Sequence, residues 1–232
     1  STISALNLES LRHKDITQLA EDRTQTKVAK ISFNTLDLPE ELRLIEETDT
    51  QYVDYLESRA IDPGDYPYMI SPDQKGRQAE RIVIPYTYDR AIVGWSARYL
   101  DDRQPKFINE QQQGYVFGTD LQQAHWTQAI VVEGIFDALS LNCLAVLHND
   151  INAKQVQLIN SLRKEITVVP DQDEAGLKLI DRAVELGWAV SIPNWHEGVK
   201  DVNDAVKRYG RIGTLITIMN SRETSKIKIE LM

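Results

Sequence analysis

Three acidic stretches follow apolar runs of the chain that are typical of short buried strands. Glu133 comes directly after "AIVV", and Asp171 and Asp173 come after "ITVVP". The third stretch, "KDVND", spans Lys200 to Asp204 in the region after "WAVSIP". Because open α/β sheets bind ligands at the carboxyl ends of their strands, we expect these acids to meet at one edge of a sheet.

Carboxylates gathered in this way favour a divalent cation. Asp171 and Asp173 lie two residues apart, so an extended backbone points both side chains to the same side. Like charges at an apolar edge are costly unless a cation lies between them. Oxygen donors without a nearby His or Cys suit Mg²⁺ or Mn²⁺, and two or more ions are possible. For any one of these acids, the competing interpretation is a helix N-cap.

Two other motifs with paired aspartates fit the spacing poorly. A calcium loop starting at Asp171 needs an oxygen ligand at position 175 and an acid at 182, where the chain has Ala175 and Arg182. A phosphatase of the haloacid-dehalogenase type opens its domain with Asp-x-Asp, whereas this pair follows the third predicted strand.

Pro170 lacks a backbone N–H, so we expect that strand to stop before Asp171.

The elements around these acids predict an α/β fold. From residue 129 onward, short apolar strands alternate with amphipathic helices, which is typical of a parallel sheet flanked by helices on both faces. One helix is expected to end at Gly187 and the last at Gly210. Upstream, the pattern predicts a helix over residues 39–60 and a β-hairpin over 81–100, together a small mixed α+β unit.

Composition limits the class of protein. The 232 residues carry a net charge of −9, and the single Cys143 excludes an internal disulfide framework or a multi-Cys zinc site in this chain. We find neither a membrane-length apolar run nor a signal peptide, and expect a cytoplasmic protein without a membrane partner. Residues 74–110, however, hold seven basic against five acidic residues. Aromatic residues interleave with them and suit either stacking on single strands or core packing: Tyr86, Tyr88, Trp95, Tyr99 and Phe107.

The ordered set "VVEGIFDAL", "VVPDQDEAG" and "KDVNDAV" resembles the Toprim domain over residues 128–207. Upstream, "ERIVIPYTYDRAIVGWSARYLDDRQPKFINE" is similar to the basic subdomain that precedes Toprim in DnaG-type primases. Among these, the sequence resembles the phage-encoded primases in particular. "YLESRAI" also fits that family. The expected organisation is an arm or linker (1–38), a basic α+β subdomain (39–127), the Toprim domain (128–207) and a C-terminal extension (208–232).

The resemblance implies the catalytic core of a DNA primase, a DNA-directed RNA polymerase acting in replication. Its partners would be a single-stranded DNA template, ribonucleoside triphosphates and a replicative helicase. It implies catalytic roles for Glu133, Asp171 and Asp173, with Asp201 and Asp204 as further metal ligands. The residues implied in nucleotide or DNA binding are Arg81, Arg98, Lys106, Asn109, Asp137 and Lys200.

The chain departs from the family pattern at two points. Bacterial-type primases carry an N-terminal zinc-binding module, whose ligands this chain lacks, so we expect no zinc here. A lysine that many relatives place before an "LYG"-like step is missing from "QQQGYVFG". The alternatives are a Toprim nuclease, which needs no basic subdomain, and a non-catalytic module that recruits a helicase. A topoisomerase would need a tyrosine nucleophile in a further domain.

Overall fold

An antiparallel sheet forms the first half of the molecule. The computed structural model describes residues 31–73, 76–148, 150–172, 176–229 and 231. Helix α1 (Thr50–Ser58) precedes most of this sheet. Its five strands are adjacent in chain order: β1 (Arg43–Leu44), β2 (Met69–Ile70), β3 (Arg81–Tyr88), β4 (Ala91–Tyr99) and β5 (Phe107–Glu110).

The predicted hairpin over 81–100 is confirmed as β3 and β4. Asp89 and Arg90 form its turn, both with positive φ angles, which side chains other than Gly, Asn and Asp rarely adopt. The carboxylate of Asp120 accepts hydrogen bonds from both of their backbone N–H groups, at 3.0 and 3.1 Å. This anchor holds the turn of the hairpin, in which Ile82 of β3 pairs with Arg98 of β4.

A mostly parallel sheet follows, in the order β10-β9-β8-β6-β7. Strands β6 to β9 are parallel, and β10 pairs with β9 in the antiparallel sense. Because Val131 of β6 pairs with Val168 of β8, the carboxyl ends of these strands lie side by side. The strands are β6 (Gln128–Val132), β7 (Leu144–Ala145), β8 (Glu165–Val168), β9 (Ala189–Ser191) and β10 (Arg222–Glu223).

Helices alternate with these strands, which confirms the predicted α/β class. The helix after β7 begins at a capping box, in which Asn152 and Gln155 satisfy each other's backbone N–H groups. One buried cluster joins the two sheets, with Ile82 and Ile84 from the first and Val132 from the second. The helices are α2 (Ile135–Leu141), α3 (Ala153–Ser161), α4 (Gly176–Leu186), α5 (Val202–Asn220) and α6 (Lys226–Ile229).

The predicted helix over 39–60 is wrong in its first half. Only Thr50–Ser58 is helical, whereas Arg43 and Leu44 pair with β2. The guanidinium of Arg43 forms an ion pair with Asp49 at 2.7 Å, which holds the chain in a turn directly before α1. The packed unit also begins before residue 38, because the ring of Phe33 contacts Tyr88 edge-on at 4.9 Å.

The helical conformation that starts at Val202 is interrupted at Gly210, as the sequence predicts, because Gly210 has a non-helical φ of 72°. A second helical segment, which the sequence pattern did not predict, follows this kink and continues α5 to Asn220. Thr214 and Ile218 beyond the kink are fully buried, so this second half packs against the parallel sheet and crosses the boundary expected at residue 207. None of the helices among the described residues is long and apolar enough to span a membrane.

Candidate active site

Glu133 and Asp171 meet at the carboxyl ends of β6 and β8. Glu133 directly follows β6 and is 8% exposed. Strand β8 stops at Val168, before Pro170, as the missing donor of that proline predicts. The chain then turns, and the backbone N–H of Asp171 donates to Oε1 of Glu133 at 3.2 Å. Two of the three acidic stretches are therefore in direct contact.

The third acidic stretch lies beside them. The backbone N–H of Gln172 donates to the carbonyl of Lys200 at 3.1 Å, which joins the loop after β8 to the loop before α5. Asp201 is the N-cap of α5, since its Oδ1 accepts from the N–H of Asp204 at 2.7 Å. Burial raises the pKa of Asp201, and the Asp204 carboxylate adds to this rise. Asp201 is thus both a helix cap and a carboxylate of this edge.

Asp137 is a buried link between two helices. It lies in the first turn of α2, is 6% exposed, and accepts the N–H of Asn203 in α5 at 2.8 Å. Burial raises its pKa well above the usual value, and the carboxylates of Asp201 and Asp171 raise it further. This crowding of negative charge means that the site favours a proton or a cation.

The fit of these residues to a divalent cation rests on their chemistry. Every donor at this edge is a carboxylate oxygen, the ligand type that Mg²⁺ and Mn²⁺ prefer. Within the described ranges, no three His, Cys, Asp or Glu side chains lie close enough to form a metal-binding group. Asp173, the second acid of the predicted pair, lies outside the described residues. The donor set therefore fits a hard cation.

Two other predicted residues lie at the margin. Asp204 is directed towards Lys207 one turn on, with 3.6 Å between the charged atoms. Lys200 is exposed, and its described contact is through its backbone carbonyl. Neither side chain contacts Glu133 or Asp171 in the described hydrogen bonds and ion pairs.

Arg81 has a structural position, in contrast to the expected phosphate contact. It is 2% exposed, and its guanidinium lies 3.4 Å from the ring centre of Tyr99. Its terminal nitrogens donate to the backbone carbonyls of Ala97, Pro105 and Lys106 at 2.8 to 3.3 Å. These bonds hold the β4–β5 loop and engage both terminal nitrogens of Arg81.

Arg98 is held differently, although it lies on the same hairpin. It is 6% exposed and lies over the rings of Phe107 and Phe136, at 4.8 and 5.4 Å from their centres. Its Nε donates to the hydroxyl of Tyr55. Phe136 is the second residue of α2, so Arg98 lies beside the helix that starts just after Glu133.

The remaining basic-subdomain residues lie at the exposed edge of the first sheet. Lys106 forms a 3.5 Å ion pair with Asp102, and Asn109 accepts a hydrogen bond from Ser96 at 2.7 Å. Two of the aromatic residues considered for base stacking are core residues, because Tyr86 is 1% and Trp95 6% exposed. They therefore have no face available to a base.

Arg59 was missed among the candidate residues, although it lies within the quoted "YLESRAI". Its guanidinium lies 4.7 Å from the ring centre of Phe136, on which Arg98 also packs. It donates to Oδ1 of Asn203 at 3.2 Å, while Nδ2 of Asn203 donates to the Arg59 carbonyl at 2.7 Å. Its positive charge partly offsets the burial that raises the pKa of Asp201. Two arginines thus flank one phenylalanine next to the acidic edge.

The glycine of "DEAG" has a packing role that the sequence pattern did not reveal. A Cβ built on Gly176 would overlap the carbonyl oxygen of Asp171 and would lie 3.1 Å from Pro170. Only glycine therefore allows the start of α4 to approach the loop that carries Asp171.

We expect Gly176→Ala to lower activity at least tenfold, because the displaced carbonyl moves Asp171 away from Glu133. Steady-state rates and thermal unfolding are the measurements. Gly64→Ala is the control, since its Cβ would meet only the flexible side chain of Asp62 at 3.3 Å. Wild-type rates in Gly176→Ala would show that this close approach is unimportant.

The parallel sheet that carries this edge is similar in sequence to a known domain family. Residues 128–211 match the Toprim domain family. The DNA primase of Clostridium acetobutylicum is 26% identical over 164 residues, which cover 62% of this chain and 27% of that protein. The chain thus spans about a quarter of the length of this curated relative.

Solved structures extend the similarity beyond the Toprim region. A DnaG primase catalytic domain bound to single-stranded DNA superposes with a TM-score of 0.65 at 17% identity, over 81% of this chain and 77% of that one. The primase fragment of the bacteriophage T7 primase-helicase gives a TM-score of 0.54 at 19% identity, over 81% and 78% of the two chains.

The parallel sheet with its acidic edge therefore matches the Toprim domain family over residues 128–211. Together with the antiparallel sheet in front of it, this sheet gives the chain the fold of DnaG primase catalytic cores.

Proposed function

We propose that this chain is the catalytic core of a DNA primase, which joins ribonucleoside triphosphates into short RNA primers on single-stranded DNA during replication. The observation that carries this proposal is the meeting of Glu133 and Asp171 next to Arg59 and Arg98, which share the ring of Phe136. Anionic ligands for a cation and fixed cations for phosphate are what phosphoryl transfer requires.

Asp171 and Asp173 would hold the divalent cation, with Glu133 and Asp201 close by. The chemistry that a bound cation supplies at such a site is stabilisation of negative charge on the transferring phosphoryl group and the departing pyrophosphate. The raised pKa of Asp137, caused by burial and then by its acidic neighbours, supports a site that needs positive charge. Mg²⁺ and Mn²⁺ both match these oxygen donors.

The protein's own side chains would do the positioning and the proton transfer. Glu133 would accept the proton of the attacking 3′-hydroxyl, directly or through one water. Arg98 and Arg59 would bind phosphates of the template or the nucleotide, with Lys106 at the exposed edge assisting. Accurate placement of both substrates is itself a large part of such catalysis.

The proposed partners follow from this chemistry and from the relatives. A single-stranded DNA template fits because a DnaG catalytic domain of the same fold was solved with single-stranded DNA. A replicative helicase fits because the T7 relative is a fragment of a primase-helicase. Ribonucleoside triphosphates are the substrates that primer synthesis requires.

Extension of a preformed primer tests the proposal. The chain is mixed with a primed single-stranded template, the four ribonucleotides, and Mg²⁺ or Mn²⁺, and we expect the primer to lengthen only when metal and nucleotides are both present. Failure to extend with either metal would refute the proposal. Cleavage of a labelled strand without nucleotides would instead identify a Toprim nuclease, and the absence of Mn²⁺ binding in calorimetry would indicate a non-catalytic module.

A further inference from the structure

Tyr55 connects the two halves of the molecule at the candidate site. It lies on α1, and its hydroxyl accepts a hydrogen bond from Nε of Arg98 in β4. Its ring meets the ring of Phe136 in α2 edge-on, with 5.9 Å between the centroids. One half-buried side chain therefore contacts both the basic subdomain and the helix that follows Glu133.

The bond to Tyr55 restricts the orientation of the Arg98 guanidinium. The rings of Phe107 and Phe136 lie against this group, at 4.8 and 5.4 Å from their centres. Ring contacts have little directionality, whereas the hydrogen bond at Nε fixes the direction in which the guanidinium points. The terminal nitrogens of Arg98 donate to none of the described residues. They remain as a planar fork, which is the geometry that binds a phosphate with two parallel hydrogen bonds.

We propose that Tyr55 is a positioning residue whose hydroxyl, by accepting the Nε–H of Arg98, fixes the arginine fork for a substrate phosphate. This inference rests on the proposed function for the identity of the phosphate, which belongs either to the DNA strand or to a ribonucleotide. Tyr55 itself contacts no reacting atom. Its effect is to order a long, flexible side chain before the substrate arrives.

Tyr55→Phe isolates this role because it removes the hydroxyl and keeps the ring, with its contacts to Phe136 and the two arginines. We expect the apparent KM or Kd for the phosphate-bearing substrate to rise about tenfold, with kcat changed less than about twofold. Primer extension at varied ribonucleotide concentration gives the KM for the nucleotide. Fluorescence anisotropy with single-stranded DNA, without nucleotides, gives the Kd for the DNA strand.

A double-variant cycle with Arg98→Lys tests whether the hydroxyl acts through Arg98. We expect Tyr55→Phe to weaken binding of the same substrate as Arg98→Lys does. The double variant should bind that substrate no more weakly than Arg98→Lys alone. Tyr209→Phe is the matched control, because it removes a tyrosine hydroxyl that accepts the N–H of His196 at 3.0 Å, away from Arg98. Unchanged binding in Tyr55→Phe, or fully additive losses in the double variant, would overturn the proposal.

Nitrogen-15 NMR of the arginine side chains makes the test independent of activity. We expect a slowly exchanging Nε–H signal for Arg98 in the wild type and its loss in Tyr55→Phe. If the wild type extends no primer, the proposed function fails, while the anisotropy and NMR results still decide the role of Tyr55. A wild-type Arg98 Nε–H that exchanges as fast as an exposed arginine would overturn it.

Discussion

Replacing Asp171 with asparagine will lower primer extension about a thousandfold and will leave the fold intact. Asp171 lies three residues after the end of β8 and contacts Glu133 through its backbone N–H. The amide has nearly the same volume as the carboxylate, so the loss comes from the missing charge at the proposed cation site. A catalytic cation contributes several kcal/mol of charge stabilisation, and about 1.4 kcal/mol corresponds to tenfold in rate.

The stability of Asp171→Asn separates a catalytic role from a structural one. The Asp171 carboxylate is one of the charges that raise the pKa of Asp137, so neutralising it relieves repulsion in the folded state. We therefore expect an unchanged or higher Tm together with lost activity and weaker Mn²⁺ binding in calorimetry. Asp181→Asn, on the exposed face of α4, is the matched control. Retention of more than about a tenth of the wild-type rate would disprove the assignment.

Arg98→Lys will lower kcat/KM about 10- to 100-fold although it keeps the positive charge. Lysine lacks the planar fork, cannot stack on Phe107 and Phe136 in the same way, and has no Nε–H for Tyr55. The loss of a charge-assisted pair of hydrogen bonds to phosphate is the expected main cause. Steady-state kinetics with ribonucleotide and primed template varied in turn are the measurement.

A matched change elsewhere in the hairpin controls for general effects of replacing arginine. Arg90→Lys alters an exposed turn residue of the same hairpin, and we expect its kcat/KM to stay within about twofold of the wild type. If Arg98→Lys also stays within that range, Arg98 does not bind substrate through its fork. Its buried position would then be purely structural.

Much of the acidic edge was predictable because it depends on local pattern. A short apolar strand ending at Pro170 places Asp171 just beyond the sheet, whatever packs around it. The parallel arrangement follows from the alternation of strands and helices, so Glu133 and Asp171 were expected to meet, and they do. Primer synthesis and the ligand roles of these acids stay proposals that the assays above decide.

The predictions that failed concern contacts between elements distant in the chain. Residues 39–49 have helical spacing, but pairing of Arg43 and Leu44 with β2 overrides that local preference. Gly210 breaks the helix as expected, but the second helical segment beyond it, with Thr214 and Ile218 buried, was not predicted. In both regions, burial against a partner outweighs a propensity of about 1 kcal/mol or less per residue.

The sequence by itself determined the α/β class, the order of the acidic stretches and the hairpin that precedes them, because periodicity and turn residues are local properties. Only the tertiary structure decided the partners of each arginine. Arg81 and Arg98 occupy similar positions in the hairpin, yet Arg81 donates to three carbonyls, whereas Arg98 donates to the described residues only through its Nε, to Tyr55. The physical reason is that the donors of a long side chain lie several ångströms from its backbone. Their partners are therefore set by whichever distant segment packs there.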